Sequence, residues 1–239
     1  LGAILWSKWS FAALLMAILI GGESEFYRMA QKAGYAPQKV LGFVAGAIIL
    51  MVAFILMWLL DDSTTVSSQY LIIAVGLALY IMMLIPVMFI CELYRKSPTP
   101  IANIGSTLMG IVYVAMPLAL LFFIPLMLGR GVWNPWALIF YIFIIWANDV
   151  CAYLVGMSIG KHRLFQRISP KKSWEGFIGG LVGAMAMGYV ASTFMEGTHA
   201  IWIGMALIAA ITGVFGDLVE SLLKRSVDVK DSGNILPGP

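Results

Sequence analysis

Residues 216–238, GDLVESLLKRSVDVKDSGNILPG, gather Asp217, Glu220, Ser221, Lys224, Arg225, Asp228, Lys230 and Asp231 directly behind a long apolar run. Charge at the end of a membrane segment is costly unless it is paired, hydrated or bound, so a dense cluster of both signs marks a candidate site. Carboxylates suit a hard divalent cation, and lysine with arginine suits phosphate oxygens. Together they describe a site for a metal-bound phosphate compound. If the preceding helix continues past Gly216, then Asp217, Glu220, Ser221, Lys224 and Asp228 share one face. Asp217 and Ser221 would then share a cation, with Lys224 one turn further out meeting a phosphate. A salt-bridged helix end at headgroup level accounts for the same residues without any ligand. Asp231-Ser-Gly and Pro237-Gly238 read as turns.

A second charged stretch, residues 161–176, reads KHRLFQRISPKKSWEG. Lys171 and Lys172 stand together between Ser169 and Ser173, a pairing that suits a triphosphate. Gly179, Gly180 and Gly183, just behind them, permit close backbone approach. Anionic headgroups would be served equally well by a basic loop of this kind. The spacing of a Walker-type phosphate loop is absent. Asp149 is a third candidate, an intramembrane carboxylate on a stripe with Tyr153, Gly156 and Gly160 where small residues let helices approach. A metal role and a hydrogen bond to a neighbouring helix both fit it. Glu23, Glu25 and Glu92 lie near span ends and are expected to reach water. His162 and His199 are too few and too far apart for a histidine metal site.

These residues need a scaffold, and composition defines its class. Of 239 residues 61% are hydrophobic and 11% charged, whereas soluble domains carry roughly 25% charged residues. The chain reads as an all-α, polytopic transmembrane helical bundle. A helix needs about 20 residues to cross roughly 30 Å of hydrocarbon, and seven apolar blocks approach that length: 9–22, 40–60, 70–93, 104–128, 135–156, 177–194 and 201–216. Their apolarity is continuous rather than alternating, which favours helices over a barrel. Pro86, Pro117 and Pro125 fall inside or near spans, where neighbouring helices can satisfy freed carbonyls. Cys91 and Cys151 sit in apolar runs and read as packing residues. The start at Leu1, without a methionine, predicts at least one further helix upstream. The reading is a single membrane-embedded domain, with N-terminal helices in 1–134 and catalytic helices and cytoplasmic loops in 135–239.

Alternate loops carry 3, 2, 5 and 3 basic residues, 13 of the 15. Positive-inside bias puts those loops in the cytoplasm, and with them both charged stretches. That is the side on which nucleotides are found.

The string S-x-x-K-R-x4-K-D-S-G-x3-P-G, from Ser221 to Gly238, resembles the signature of the phosphatidate cytidylyltransferase (CDP-diacylglycerol synthase) family. SPKKSWEG followed by a glycine pair, and NDVCAYLVG, are similar to segments of that family in the same order. The resemblance spans Asn148 to Gly238 by motif and the earlier helices by hydropathy. In the family the signature continues with a histidine, two glycines and a D-R-x-x-D-like element before one more helix, so the site in this sequence is expected to be incomplete. The resemblance implies transfer of CMP from CTP to phosphatidic acid, giving CDP-diacylglycerol and pyrophosphate in a bacterial inner membrane. It implies Mg²⁺, with room for a second cation, on Asp217, Asp231 and Asp149. It assigns Lys224, Arg225, Lys230 and Ser221 to the catalytic cluster, and Ser169, Lys171, Lys172, Ser173 and Glu175 to substrate binding. CTP, phosphatidic acid and membrane lipids are the implied partners; a homodimer is compatible, and nothing calls for nucleic acid.

Other CTP-dependent lipid-phosphate cytidylyltransferases and prenol kinases share the bundle and part of the charge pattern. A CDP-alcohol phosphotransferase would need D-x2-D-G-x2-A-R, which is absent. A transporter would place its charges at mid-membrane on broken helices or repeats. The enzyme reading predicts a polar cavity between the helices of Asp149 and Asp217, with residues 176–188 packed beside it and Asp217 and Asp231 short of partners.

Overall fold

The computed structural model describes residues 1–61, 68–195 and 198–227, without the side chains of 68–71. Asp228, Lys230, Asp231 and the turns at 231–233 and 237–238 lie outside the described residues. Seven helical segments are long and apolar enough to cross a membrane, and the protein is an all-α, polytopic integral membrane protein. The chain divides after Trp133 into two compact units.

The first unit contains α1 (Gly2–Trp6), α2 (Lys8–Lys32), α3 (Lys39–Leu60), α4 (Ser68–Arg95) and α5 (Pro100–Gly110), then a π-helical turn (Ile111–Ala115), α6 (Met116–Leu120) and α7 (Ile124–Leu128). The span expected over 104–128 is thus a broken one. Pro117 has no N–H to give the carbonyl four residues back, and a helix absorbs that loss by widening. The widening sits just before it, where Met116 N–H reaches Ile111 O. Pro125 opens α7 after a turn.

Both ends of this unit are tied by polar groups. At one end Asp61, which closes α3, pairs with the Lys8 ammonium and accepts the Trp133 N–H. Lys8 Nζ also lies 4.8 Å from the centre of the Trp58 ring. At the other end Glu92 accepts from Gln38 Nε2 (2.8 Å), Asn103 Nδ2 (2.6 Å) and Arg95 Nη1 (2.9 Å). Thr107 Oγ1 accepts the Gln38 N–H at 2.8 Å. The network corrects the expectation that Glu92 reaches water: it is 4% exposed, because three donors, Arg95 on its own helix and Gln38 and Asn103 on neighbouring segments, replace its hydration. Glu23 is corrected too. It is fully buried, its Oε1 lying where a Cβ on Gly46 of α3 would be only 2.5 Å away. The inward face of α2 carries Phe11, Leu15, Leu19, Glu23 and Phe26 at helical spacing, so Glu23 is held inside by its register. Glu25, two residues on, is half-exposed.

Tyr27 is the wedge of the unit, fully buried, with its hydroxyl donating to Thr107 O at 3.3 Å. It fits only because Gly42 and Gly110 face it: a Cβ would stand 2.1 Å from its Oη at Gly42 and 2.4 Å from its Cε1 at Gly110.

The second unit is α8 (Pro135–Ile159), a hairpin of β1 (Arg163–Phe165) and β2 (Ser169–Ser173), α9 (Trp174–Phe194) and α10 (His199–Ser226). The hairpin is the exception to the all-helical expectation, which read residues 161–173 as a loop. Its pairing is irregular, with Arg163 opposite Ser173 and Phe165 opposite Ser169. Pro170 is tolerated in a strand at such a bulge because no ladder bond is asked of it. Ser173 then caps α9, its Oγ accepting the Gly176 N–H at 3.1 Å. α10 runs well past Gly216 to Ser226, so Asp217, Glu220, Ser221 and Lys224 do share a helical face. Cys91 and Cys151 are free thiols.

Gly42→Ala is expected to destabilise the protein by about 1–3 kcal/mol through overpacking against Tyr27. Gly76→Ala, whose Cβ would meet nothing within 4 Å, is expected to leave stability unchanged or slightly raised. Thermal midpoints of both variants in one detergent check this; equal midpoints would remove Tyr27 as the wedge.

Candidate active site

α8 and α9 pack antiparallel at backbone contact. A Cβ on Gly176 would stand 2.8 Å from Ala152 O, one on Gly180 3.0 Å from Asn148 O, and one on Gly183 3.1 Å from Ala147 O. Any side chain at these positions would force the helices apart. The contact leaves one face of α8, bearing Asp149, Ala152, Tyr153, Gly156 and Met157, on a cavity of about 470 Å³. The hairpin contributes Arg163, Leu164, Lys171, Lys172 and Ser173, α9 adds Gly176 and Phe177, and α10 adds Val214 and Asp217. Residues 68 positions apart in sequence, Asp149 and Asp217, therefore line one space together with both lysines.

Electrostatically the cavity is mixed. Lys172 Nζ is paired with Asp217, across the gap between the hairpin and α10. This corrects the expectation that Asp217 lacks a partner: the bulge in β2 brings an ammonium to it. Asp149 is exposed on the cavity wall rather than buried. Its described hydrogen bond comes from the neighbouring Asn148 Nδ2 at 3.3 Å, not from another helix. Asn148 is 4% exposed, and its Oδ1 has no hydrogen-bond partner. Ala152, Met157, Phe177 and Val214 complete an apolar part of the wall.

The remaining candidates sit elsewhere. Glu175 does not line the cavity; it accepts the Lys161 and His162 N–H groups at 3.2 and 3.3 Å and contacts His162 Nδ1 at 2.6 Å. It thereby anchors the chain entering the hairpin to the first turn of α9. Ser169 lies at the start of β2, outside the lining. Further along α10, Lys224 pairs with Glu220 at 2.5 Å, and neither these two nor Ser221 or Arg225 reaches the cavity lining. Asn148 and Arg163 line the cavity although the sequence pattern did not single them out. Asn148 adjoins Asp149, and its polarity in an apolar helix was the available signal. Arg163 was hidden among five basic residues of one loop.

A divalent cation fits this donor set. Two carboxylates, Asp149 and Asp217, face the same space, and an ammonium already rests on one of them, marking a position where positive charge is favoured. Mg²⁺ needs only one or two carboxylates when phosphates and water complete its shell. Among the described residues no cluster of three or more His, Cys, Asp or Glu is present.

The chain is similar to proteins named phosphatidate cytidylyltransferase. The one from Staphylococcus aureus is 47% identical over 97 residues, covering 40% of this chain and 37% of that protein. Its counterpart from Staphylococcus saprophyticus is 42% identical over 103 residues, 42% of this chain and 40% of that protein. The Mycobacterium bovis protein is 46% identical over 94 residues, 38% and 30% of the two chains. These matches thus span less than half the length of each relative. The sequence profile of the Cytidylyltransferase family matches residues 1–239 in full, and the chain belongs to that family.

Proposed function

We propose that this protein transfers CMP from CTP to phosphatidic acid, forming CDP-diacylglycerol and releasing pyrophosphate at the cytoplasmic face of a bacterial inner membrane. The observation that carries the reading is the single cavity lined by Asp149, Asp217, Arg163, Lys171 and Lys172 at one end of apolar helices. The names of the relatives support the reaction class, and the distribution of basic residues supports the side. A cavity with one charged wall and one apolar wall suits a lipid phosphate whose tails stay in hydrocarbon while a nucleotide enters from water.

In the reaction a phosphatidate oxygen attacks the α-phosphorus of CTP. One P–O bond forms, the bond from the α-phosphorus to the bridging oxygen breaks, and pyrophosphate leaves with that electron pair. The lipid phosphate is ionised at neutral pH, so no side-chain nucleophile is required. The chain's task is alignment and charge neutralisation between two anions. Arg163, Lys171 and Lys172 converge on the cavity from the hairpin and would hold phosphate oxygens; the arginine fork suits bidentate contact and the lysines act as point charges. Ser173 is buried and engaged in capping α9, so its role is to fix the position of Lys172 next to it. Mg²⁺ would be held by Asp217 and Asp149, and when bound it neutralises phosphate oxygens and the leaving pyrophosphate.

Asp217→Asn preserves size and removes the charge a hard cation needs. We expect turnover of labelled CTP and phosphatidate to fall on the order of 100-fold, with insertion into membranes unchanged. Near-normal turnover of this variant at saturating Mg²⁺ would sink the assignment of Asp217.

Changing Lys171 and Lys172 together to Gln should raise KM for CTP more than KM for phosphatidate. Steady-state kinetics in mixed micelles of fixed lipid composition read the two constants separately. An effect that tracks anionic lipid content, with KM for CTP unmoved, would make the pair a headgroup contact instead.

A further inference from the structure

Within the first unit a separate groove of about 750 Å³ lies where α3 begins and α4 ends. Lys39 and Arg95 stand on it, Gln38 lies under it, and Val40, Val44 and Tyr94 give it an apolar wall. Two features define what it would hold. The first is the start of α3, a helix of 22 residues with no side-chain cap. The first-turn amides of Val40 and Leu41 belong to groove residues, and such amides at the positive end of a helix favour an anion.

The second feature is basic charge. The Lys39 ammonium has no partner among the described residues. Arg95 is tied through Nη1 to Glu92 Oε2 and Ala36 O, both at 2.9 Å, which leaves the rest of its fork to donate. Gln38 beneath the groove is buried and turned inward, its Nε2 donating to Met88 O and Glu92 Oε2.

A phosphate meets both features, and an acyl chain meets the apolar wall. Basic pockets beside membrane helices at headgroup depth recognise lipid phosphates by this combination. We infer that the groove binds an anionic phospholipid. The phosphate lies on Lys39 and the start of α3, and one acyl chain follows Val40, Val44 and Tyr94. The site is independent of the catalytic cavity, and nothing in its chemistry requires the reaction proposed above.

Native mass spectrometry of the purified full-length protein in non-ionic detergent tests this. The probes are dioleoylphosphatidylglycerol, dioleoylphosphatidylcholine and inorganic phosphate. Phosphatidylglycerol should bind at least about fivefold more tightly than phosphatidylcholine, and Lys39→Gln should weaken it about fivefold, the usual contribution of one basic residue at a membrane surface. Val44→Trp places bulk in the wall at a half-exposed position and should also lower retention, whereas Arg130→Gln, away from the groove, should not. Equal affinity for the two lipids overturns the proposal, as does unchanged binding in both groove variants. Displacement by inorganic phosphate at the lipid's own concentration would exclude the acyl contribution and overturn it as well. A shift in oligomeric state without lipid loss would assign the face to a second copy of the chain.

Discussion

Backbone contact between α8 and α9 is the constraint on which the candidate site depends. Gly176, Gly180 and Gly183 each face a carbonyl oxygen of α8 closer than an ordinary Cβ contact allows. In a bilayer this closeness has to come from packing, since lipid offers apolar side chains as good an environment as a neighbouring helix does. With the two helices in contact, the hairpin joining them has little room. Gly160 ends α8 where a Cβ would stand 2.6 Å from Ser173 Oγ, and Ser173 in turn caps α9. The exit from one helix and the entry to the next are thus packed against each other, and the lysines between them are presented to the face that carries Asp149.

The cost of polar groups explains the rest of the arrangement. Away from water an unpaired charge is expensive, and several of the described charges near helix ends are paired: Lys8 with Asp61, Arg95 with Glu92, Lys172 with Asp217, Lys224 with Glu220. Arg95 with Glu92 and Lys224 with Glu220 each close along one helix, and Lys8 with Asp61 ties the start of α2 to the end of α3. The pair of Lys172 with Asp217 differs in place, because it bridges a hairpin and a helix on the rim of a cavity. Asp217 there is more than half exposed as a side chain, at 56%. An exposed ion pair contributes about 0–1 kcal/mol. Its partners are therefore inexpensive to separate, which suits groups that must exchange each other for ligands.

Much of this was legible in the sequence because the signals were local. Seven long apolar runs gave seven spans, and the shared face that Asp217, Glu220, Ser221 and Lys224 would have on a continued helix is met because α10 runs to Ser226. Asp149, Asp217, Lys171, Lys172 and Ser173 were chosen by residue type, and they line one cavity. What escaped depended on contacts distant in sequence. Glu23 and Glu92 look like residues that reach water until Gly46 and Asn103 are brought beside them. The hairpin was obscured by Pro170 and the double lysine, which have the composition of a loop. Glu175 has the type of a ligand residue, yet its oxygens are turned to the amides of Lys161 and His162.

Register is the remaining question, since Asp217 has to arrive level with residues 40 positions earlier. α9 and α10 run antiparallel: Ser192 Oγ meets His199 Nδ1 at 2.6 Å, and a Cβ on Gly188 would stand 2.9 Å from both Ala206 Cβ and Trp202 O. From that contact α9 counts back 11 residues to Phe177, and α10 counts forward 11 residues from Ala206 to Asp217. At 1.5 Å per residue each path is about 16 Å. Phe177 and Asp217 therefore reach the same depth, and both line the cavity. The same count sets Val214 level with Gly180, where α9 touches Asn148 beside Asp149. A small residue at Gly188 thus acts far from the chemistry: it lets Trp202 and Ala206 seat against α9, and that seating brings the second carboxylate to the first.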